Sequence, residues 1–450
     1  MTMEAPVVLW FRRDLRLRDH AALLTASKHS KHVLALYVLD DRLLKPAGAP
    51  RTAFLLASLR ELDQALSGRL LVRHGDPVQE VVAAAREIGA AAVHVTADTV
   101  PYGRTRDDAV AKALAAHGIE WVPTGSPYAV TPGRVTKPDG TPYRVFTPFH
   151  RAWTRHGWPR PAETDVSLVD WVKPGSSLHL PAADDVPLPP AGEETALDAW
   201  QAFLADGIAD YAAARDRPDH AGTTRLSPYL RWGAIHPRTM LADLAGNSSE
   251  GAQALRAELC WREFHADVLW HRPETARENY DRRFDRMRYD TGKTAQEMFR
   301  QWCGGRTGYP IVDAGMRQLL AESWMHNRVR MIVASFLVKD LHLPWWWGAR
   351  HFMRHLVDGD LASNQLNWQW VAGCGTDAAP YFRIFNPTTQ GQKFDPQGDY
   401  VRRYVPELRD IPGKAVHTLK ERPADYPAPL VDHAEERQVA LQRYGAITGS

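Results

Sequence analysis

Short runs of β-branched residues alternate with Ala- and Leu-rich stretches through the first 125 residues, and this alternation constrains the fold most. The runs are 7–11, 33–39, 70–73, 92–96 and 119–122, and helical stretches such as 52–66 and 78–88 separate them. Such alternation is typical of βαβ units. It predicts an α/β domain over 1–125 with a Rossmann-like, doubly wound parallel sheet, whose ligands would lie at the carboxyl ends of the strands.

The rest of the chain changes character twice. Residues 126–192 are rich in Pro, with Gly and Asp, and show little periodicity, which predicts a long interdomain linker. From 193 to 450 the pattern is helical, without another strong strand run. The predicted fold class is therefore α/β plus all-α: an N-terminal parallel-sheet domain, a linker and a C-terminal helical domain.

The amino-acid composition says little about what the protein binds. The net charge is only +2, so a nucleic-acid partner would need a local basic surface. Three cysteines lie far apart, and the sequence contains neither a long apolar span nor an N-terminal signal pattern, which predicts a cytoplasmic protein. The 16 tryptophans fit core packing, base stacking or electron transfer.

A cluster of hydroxyls precedes a predicted helix at 222–230. Thr223 and Thr224 are followed by Ser227 and Pro228, which we interpret as an N-cap residue with proline at the first helical position. Such a helix start suits a phosphate, although an ordinary capped helix would have the same sequence.

Three later segments place polar and aromatic residues on single helix faces. Glu258, Trp261 and His265 are spaced i, i+3 and i+7, with Arg262 one position round, and suit a flat polar heterocycle or a partly buried helix with a surface ion pair. The same spacing joins Trp324, Asn327 and Met331, and we expect the Asn327 amide to be buried and hydrogen-bonded. Asp360, Asn364 and Trp368, at i, i+4 and i+8, would form a cofactor edge or a capped, packed helix.

Read together, several motifs resemble those of the photolyase/cryptochrome family, in the family's order. They are WFRRDLRL at 10–17, TTRLS at 223–227, WREF at 261–264, TGYPIVDAGMR at 307–317, WMHNR at 324–328, DGD at 358–360 and GTDAAPYFRIFNP at 375–387. The last of these is highly specific.

The resemblance implies FAD bound by the helical domain. It implies that one set of residues holds the phosphates of the cofactor and a second set lies beside the flavin ring. In the second set, Asn364 lies beside the flavin N5, and Arg330 forms an ion pair with the acidic residues Asp358 and Asp360. The implied set is Tyr211, Thr223, Thr224, Arg225, Leu226, Ser227, Arg262, Arg330, Asp358, Asp360 and Asn364.

The resemblance also implies a partner, ultraviolet-damaged DNA, whose pyrimidine dimer is flipped out of the duplex. Glu258 would hydrogen-bond the dimer, Trp261 and Trp370 would stack on it, and Asn327 and Met331 would lie between dimer and flavin, these five forming the catalytic set. Further DNA contacts would come from His265, Arg328, Gln390, Arg383 and Lys393.

Within the family, Asn327 and Met331 favour the class I group that splits cyclobutane pyrimidine dimers, acting as a monomer. The alternative is a cryptochrome-type photoreceptor without repair. Trp368 and Trp345 match the inner members of the family's electron-transfer chain, but Gly292 stands where the outer tryptophan is expected, and Tyr289 is the candidate for that role. Residues 98–107 and 37–40 would hold a second antenna pigment, a deazaflavin or a methenyl folate.

Overall fold

The computed structural model of the chain describes residues 4–182, 184–378, 380–381 and 383–449. Met1–Met3 of the N-terminal stretch, and Ala379 and Phe382 of the GTDAAPYFRIFNP motif, lie outside these ranges. No helix in the described ranges is long and apolar enough to cross a membrane.

A parallel sheet forms the N-terminal part, in the strand order β3-β2-β1-β4-β5. The strands are β1 (Val7–Phe11), β2 (His32–Leu39), β3 (Leu70–His74), β4 (Ala92–Val95) and β5 (Glu120–Pro123). Leu9 pairs with Ala35 of β2 and with His94 of β4, so β1 lies in the centre. All five residues of β1 are buried, because helices cover both faces of a parallel sheet. The predicted fold class is confirmed.

Helices make up the rest of the molecule. In chain order they are α1 (Ala21–His29), α2 (Asp41–Leu44), α3 (Ala49–Ala65), α4 (Pro77–Glu87), α5 (Pro101–Ala115), α6 (Phe146–His156), α7 (Glu193–Ala202), α8 (Tyr211–Ala214), α9 (Ser227–Trp232), α10 (Pro237–Asp243), α11 (Glu250–His271), α12 (Gly292–Cys303), α13 (Pro310–Glu322), α14 (Asn327–Ser335), α15 (Trp345–His355), α16 (Leu361–Ala372), α17 (Pro387–Phe394), α18 (Asp399–Tyr404) and α19 (His433–Thr448). A π-helical turn, Phe336–Asp340, continues α14.

The structure adds elements inside the range predicted to be a linker. Helix α6 buries Phe149 and Trp153, and a two-residue strand, β6 (Asp170–Trp171), pairs in parallel with β2. Asp170 N–H donates to the Lys31 carbonyl, so this stretch completes the edge of the sheet beside the start of β2. The range 126–192 is therefore more than a featureless connection.

The chain forms two compact units that are discontinuous in sequence. The first comprises the residues up to Ile208 together with Thr224–Pro273, and the second comprises Ala209–Thr223 together with Glu274 to the C-terminal end. The first unit thus contains the sheet and helices α9 to α11. The second contains a large apolar core in which Trp302, Trp345 and Tyr400 are fully buried.

Candidate cofactor and substrate sites

A cleft opens in the second unit, along α14 and α16. Its lining combines amides, carboxylates and a guanidinium with apolar side chains. Its lining comprises Asn327, Arg330, Met331, Ala334, Phe352, Leu356, Asp358, Gly359, Asp360, Ser363, Asn364, Asn367, Trp368 and Val371. Predicted site residues from two separate stretches of the chain, 327–331 and 358–368, thus meet in one cavity.

Helix α16 carries the polar edge of the cleft. Asp360 is its N-cap and accepts a hydrogen bond from Ser363 N–H at 3.0 Å, which satisfies one of the unpaired donors of the first turn. One turn later the buried Asn364 amide donates to the Ala349 carbonyl at 3.0 Å. The same Nδ2 also donates to Gln365 Oε1 at 2.9 Å, and the two bonds together fix the orientation of the Asn364 amide. Asp360, Asn364 and Trp368 all line the cleft, as their spacing predicts.

An ion pair joins α14 to the loop before α16. Arg330 Nη2 lies 2.8 Å from Asp358 Oδ2, and Arg330 Nε donates to the Met325 carbonyl. The Asp358 side chain is 3% exposed, so its charge is compensated by the guanidinium rather than by water. The pair sets a positive group beside a negative one on the wall of the cleft.

The floor of the cleft depends on a close approach between helices. The ring of Trp368 packs directly over Gly348 of α15, where a Cβ atom would lie 2.1 Å from its Cη2 atom. Phe352 and Trp302 meet the same indole at angles of 76° and 70°, with centroids 5.0 and 6.2 Å away. Glycine at 348 is what lets the Trp368 ring approach α15 this closely.

The start of α14 differs from the sequence prediction in two ways. Helix α14 begins at Asn327 with His326 as its cap, so Trp324 lies in the preceding loop and not on the helix face. Asn327 is exposed, although it lines the cleft, because it is the first residue of the helix and points away from the core. The expected burial of the Asn327 amide is therefore wrong.

Arg328, an expected DNA contact, already has a protein partner. Its Nη2 lies 2.9 Å from Asp216 Oδ1, and its guanidinium lies 4.5 Å from the ring centroid of Phe394. The side chains of Arg328 and Asp216 are 20% and 40% exposed. Asp216 was not predicted from sequence, since no local pattern links residues 112 positions apart.

Aromatic rings continue away from Trp345. This residue is fully buried, and its Nε1 donates to Asn279 Oδ1 at 2.9 Å. Trp346 lies 5.9 Å from Trp345 and 5.3 Å from Tyr289, between ring centroids. Burial raises the pKa of Tyr289 well above its usual value. Trp346 therefore lies between Trp345 and Tyr289, which the sequence prediction made successive members of the electron-transfer chain.

The other predicted residues of the second unit are spread over its helices. Tyr211 is buried at the start of α8. Thr223 is the last residue of the segment Ala209–Thr223, which belongs to the second unit. Trp370 is half-buried on α16, and Gln390 is half-buried on α17, whose neighbours Arg383 and Lys393 are exposed.

In the first unit, the hydroxyl-rich loop turns sharply before α9. Arg225 has a φ of +52°, and Leu226 N–H donates to Thr224 Oγ1 at 3.3 Å. Leu226 is the N-cap and Ser227 is already helical, so the predicted N-cap assignment is wrong by one residue. A non-glycine residue with positive φ is uncommon and needs support from its surroundings.

Helix α11 carries the predicted substrate residues of the same unit. Glu258 and Trp261 are half-buried, and His265 is buried, with its ring 5.5 Å from that of Trp261. Arg262 donates to the carbonyls of Pro127 and Leu230 at 3.0 and 3.1 Å. In this structure the Arg262 guanidinium therefore ties α11 to two loops.

A buried charge network lies at the carboxyl ends of β1 and β4. Arg12 pairs with Asp107 at 2.6 Å, and Arg106 pairs with Asp107 at 2.8 Å and with Asp98 at 3.1 Å. Both guanidinium groups lie over Trp10, at 4.7 and 5.0 Å from its ring. Within the described ranges, Trp10 Nε1 and Arg12 Nε are buried without a hydrogen-bond partner.

The end of β2 faces the same region. Tyr102 donates a short hydrogen bond to Asp40, and burial together with this carboxylate raises the pKa of Tyr102 to about 12. Two of the segments predicted to hold a second pigment are thus joined by a hydrogen bond.

Comparison with known families decides the family question. A profile for the FAD binding domain of DNA photolyase matches residues 255–446, and a DNA photolyase profile matches residues 7–166. The chain belongs to the DNA photolyase family. It is similar to the deoxyribodipyrimidine photo-lyase of Streptomyces griseus, with 42% identity over 97% of this chain and 98% of the relative.

Solved photolyase structures share the fold over the full length. A bacterial class III photolyase from Agrobacterium tumefaciens has a TM-score of 0.91 and 37% identity, covering 100% of this chain and 99% of its own. An archaeal photolyase from Sulfolobus tokodaii, described with two FAD molecules, has a TM-score of 0.88 and 30% identity, covering 98% and 100%.

The cleft of the second unit fits the FAD that a photolyase domain binds. A flavin needs hydrogen-bonding groups along the edge of a flat ring and apolar groups against its face. Asn364, Asp360 and the Arg330–Asp358 pair supply the first, and Trp368 and Phe352 supply the second. Sequence reasoning found the polar edge but missed Phe352 and Gly348, which carry no chemical signal.

Proposed function

We propose that the protein is an FAD-dependent deoxyribodipyrimidine photo-lyase that uses light to split cyclobutane pyrimidine dimers in DNA. The observation that carries the proposal is the cleft within the match to the photolyase FAD-binding domain. There, predicted site residues from two separate stretches of the chain, 327–331 and 358–368, converge on one cleft. The near full-length similarity to deoxyribodipyrimidine photo-lyases supports the same reaction.

In this proposal, two groups of residues hold FAD. Asn364 faces the flavin edge near N5, while Asp358, Asp360 and Arg330 supply a balanced set of charges beside the ring. The phosphate region is held by the hydroxyl-rich loop and its neighbours, namely Tyr211, Thr223, Thr224, Arg225, Leu226, Ser227 and Arg262. The positive φ of Arg225 followed by right-handed backbone at Leu226 supports this role, because successive residues of opposite hand are the backbone pattern of anion-binding turns.

The flipped dimer is contacted by aromatic and polar side chains. Glu258 accepts from the ring N–H edge, Trp261 and Trp370 stack on the bases, and Asn327 and Met331 lie on the cleft wall. A stacking contact with a base contributes about 1–3 kcal/mol. His265, Arg328 and Gln390 support the DNA strand, with Arg383 and Lys393 exposed nearby.

When bound, reduced FAD supplies on excitation the electron that opens the cyclobutane ring, and it takes this electron back. The protein's own residues position the dimer and keep water away from it. Stacking by Trp261 and the hydrogen bond that the base donates to Glu258 hold the bases in one orientation. The apolar wall of Trp368, Phe352 and Leu356 excludes solvent from the cleft.

We further propose that the protein belongs to class I and acts as a monomer in the cytoplasm. The residues Asn327 and Met331 support the dimer-splitting group over a cryptochrome-type photoreceptor. Light scattering on the purified protein measures its mass directly.

A second pigment in the sheet domain is also part of the proposal. The orphaned donors of Trp10 and Arg12 at the carboxyl ends of the strands support a ligand there, of the deazaflavin or methenyl folate type. Extraction of the purified holoprotein with acid, followed by chromatography, identifies which pigment it carries.

Illumination of the holoprotein with a dimer-bearing oligonucleotide tests the proposed function. We expect reduced protein to remove the dimers under blue light and not in the dark. Glu258→Ala should lower repair far more than flavin content, because a lost hydrogen bond that leaves a buried group unpaired costs about 1–3 kcal/mol. Tight binding of FAD with no repair in light would favour the cryptochrome alternative.

A further inference from the structure

A ring that no sequence motif singled out covers one face of Trp261. Phe146, the first residue of α6, stacks on this indole with ring centroids 3.7 Å apart and planes 5° apart. Phe264 and His265 also touch the indole, but their planes lie at 71° and 39° to it. Among the described ring contacts of Trp261, only the one with Phe146 is parallel.

This geometry is imposed by the packing around it. Isolated aromatic pairs prefer offset or edge-to-face arrangements over a near-complete overlap. Helix α6 is fixed to α11 by Trp153, whose Nε1 donates to Glu263 Oε2 at 2.7 Å, and both residues are almost fully buried. Since Phe146 and Trp153 lie seven residues apart on one face of α6, this anchor also fixes the Phe146 ring.

The anchor is strengthened from a second direction. Glu263 accepts hydrogen bonds from Ala129 and Val130 N–H at 2.5 and 3.0 Å, so its carboxylate joins three separate segments. On the outer side, His150 lies 5.6 Å from Phe146 with planes only 16° apart. Phe146 therefore has near-parallel ring contacts with both His150 and Trp261, which restrict its movement.

We propose that Phe146 is a positioning residue for damaged DNA, which holds the Trp261 indole so that its opposite face receives the flipped base. This inference rests on the proposed function. A side chain that is already ordered loses less conformational entropy when it binds. The parallel stack of Phe146, Trp261 and a pyrimidine would then recognise the extruded dimer and not the intact duplex, whose bases stay stacked on each other.

The test is the ratio of affinities for dimer-bearing and undamaged oligonucleotides, measured by fluorescence anisotropy on the holoprotein in red light, where no repair occurs. Phe146→Leu keeps the apolar volume but removes the ring, and we expect a fall of about 3- to 10-fold in affinity for damaged DNA only. Phe146→Tyr keeps the ring and should restore the ratio, which a simple packing defect would not predict.

Tyr143→Leu is the matched control. Tyr143 is another half-buried aromatic residue close by in the chain, but its ring contact is with Phe149 rather than Trp261. It should leave the affinity ratio unchanged. Flavin content and melting temperature of all three variants report on folding.

Three results would overturn the inference. An unchanged ratio in Phe146→Leu, with a wild type that discriminates, removes Phe146 from recognition and leaves the proposed function intact. Higher affinity for damaged DNA in Phe146→Leu would mean that Phe146 blocks the base-binding face. A wild-type protein that neither discriminates damaged DNA nor repairs it overturns the proposed function, and this inference with it.

Discussion

Replacing Gly348 with alanine would place a methyl group where the ring of Trp368 now lies. The added Cβ would be 2.1 Å from Cη2 and 2.6 Å from Cζ3 of Trp368, and 2.6 Å from Leu337 Cδ2. Overpacking of this kind costs about 1–3 kcal/mol. Alanine returns about 1 kcal/mol through its higher helix propensity.

The surroundings decide which end of that range applies. Trp368 is 3% exposed and boxed by Phe352 and Trp302, so its ring cannot rotate into solvent. We therefore expect a net destabilisation of about 2 kcal/mol, which lowers the melting temperature of a unit of this size by about 4–8 °C. Because Trp368 also lines the cleft, the purified variant should carry less flavin.

Gly304→Ala is the control for this experiment. Gly304 has a φ of −85°, and an added Cβ would lie 3.5 Å from the nearest described atom, the Arg300 carbonyl oxygen. Melting followed by circular dichroism, with flavin quantified by its visible absorbance, compares the two variants. If Gly348→Ala melted at or above the wild-type temperature with full flavin content, the close approach of Trp368 would not shape the cavity.

Three further predictions concern other parts of the molecule. The Trp346 ring lies between those of Trp345 and Tyr289. Trp346→Phe should therefore slow the light-driven reduction of oxidised FAD, followed by absorbance during illumination, more than Tyr289→Phe does. Equal rates in the two variants would exclude this route. Asp216→Asn removes the competitor for Arg328, so affinity for undamaged DNA should rise at low salt, with a salt dependence steeper by about one phosphate contact; weaker binding would contradict this. Burial raises the pKa of Glu263 to about 7, so the folded state binds the extra proton and stability falls as pH rises from about 4.5 to 7; melting temperatures of Glu263→Gln should show a smaller fall over that interval.

The sequence predicted a helix or strand correctly where the pattern of that helix or strand alone is sufficient. The ends of the five main strands agree with the sequence prediction within a residue or two. Strand β6 has only two residues and owes its existence to the neighbouring β2, so no periodicity could reveal it. Helix α6 is short, and its proline-rich surroundings masked the spacing of Phe149 and Trp153.

The candidate site shows the same division. The spacing of Asp360, Asn364 and Trp368 placed them on one face, because they share a helix and its cap. Asn327 was misjudged because burial at the first residue of a helix depends on the loop before it. The contact of Phe146 with Trp261 joins residues more than a hundred positions apart, which only tertiary packing can bring together.

The discontinuous first unit has a consequence for synthesis on the ribosome. Domains generally fold as units while the chain emerges from its N-terminus. Here the sheet can form early, but its unit is complete only after Pro273 has been made. Residues 209–223 emerge before that point but belong to the second unit. Tyr211 can therefore reach its packed position only after the helices beyond Glu274 have been made. If translation slowed just after codon 273, the first unit could therefore finish folding before the helices that pack with residues 209–223 have been made.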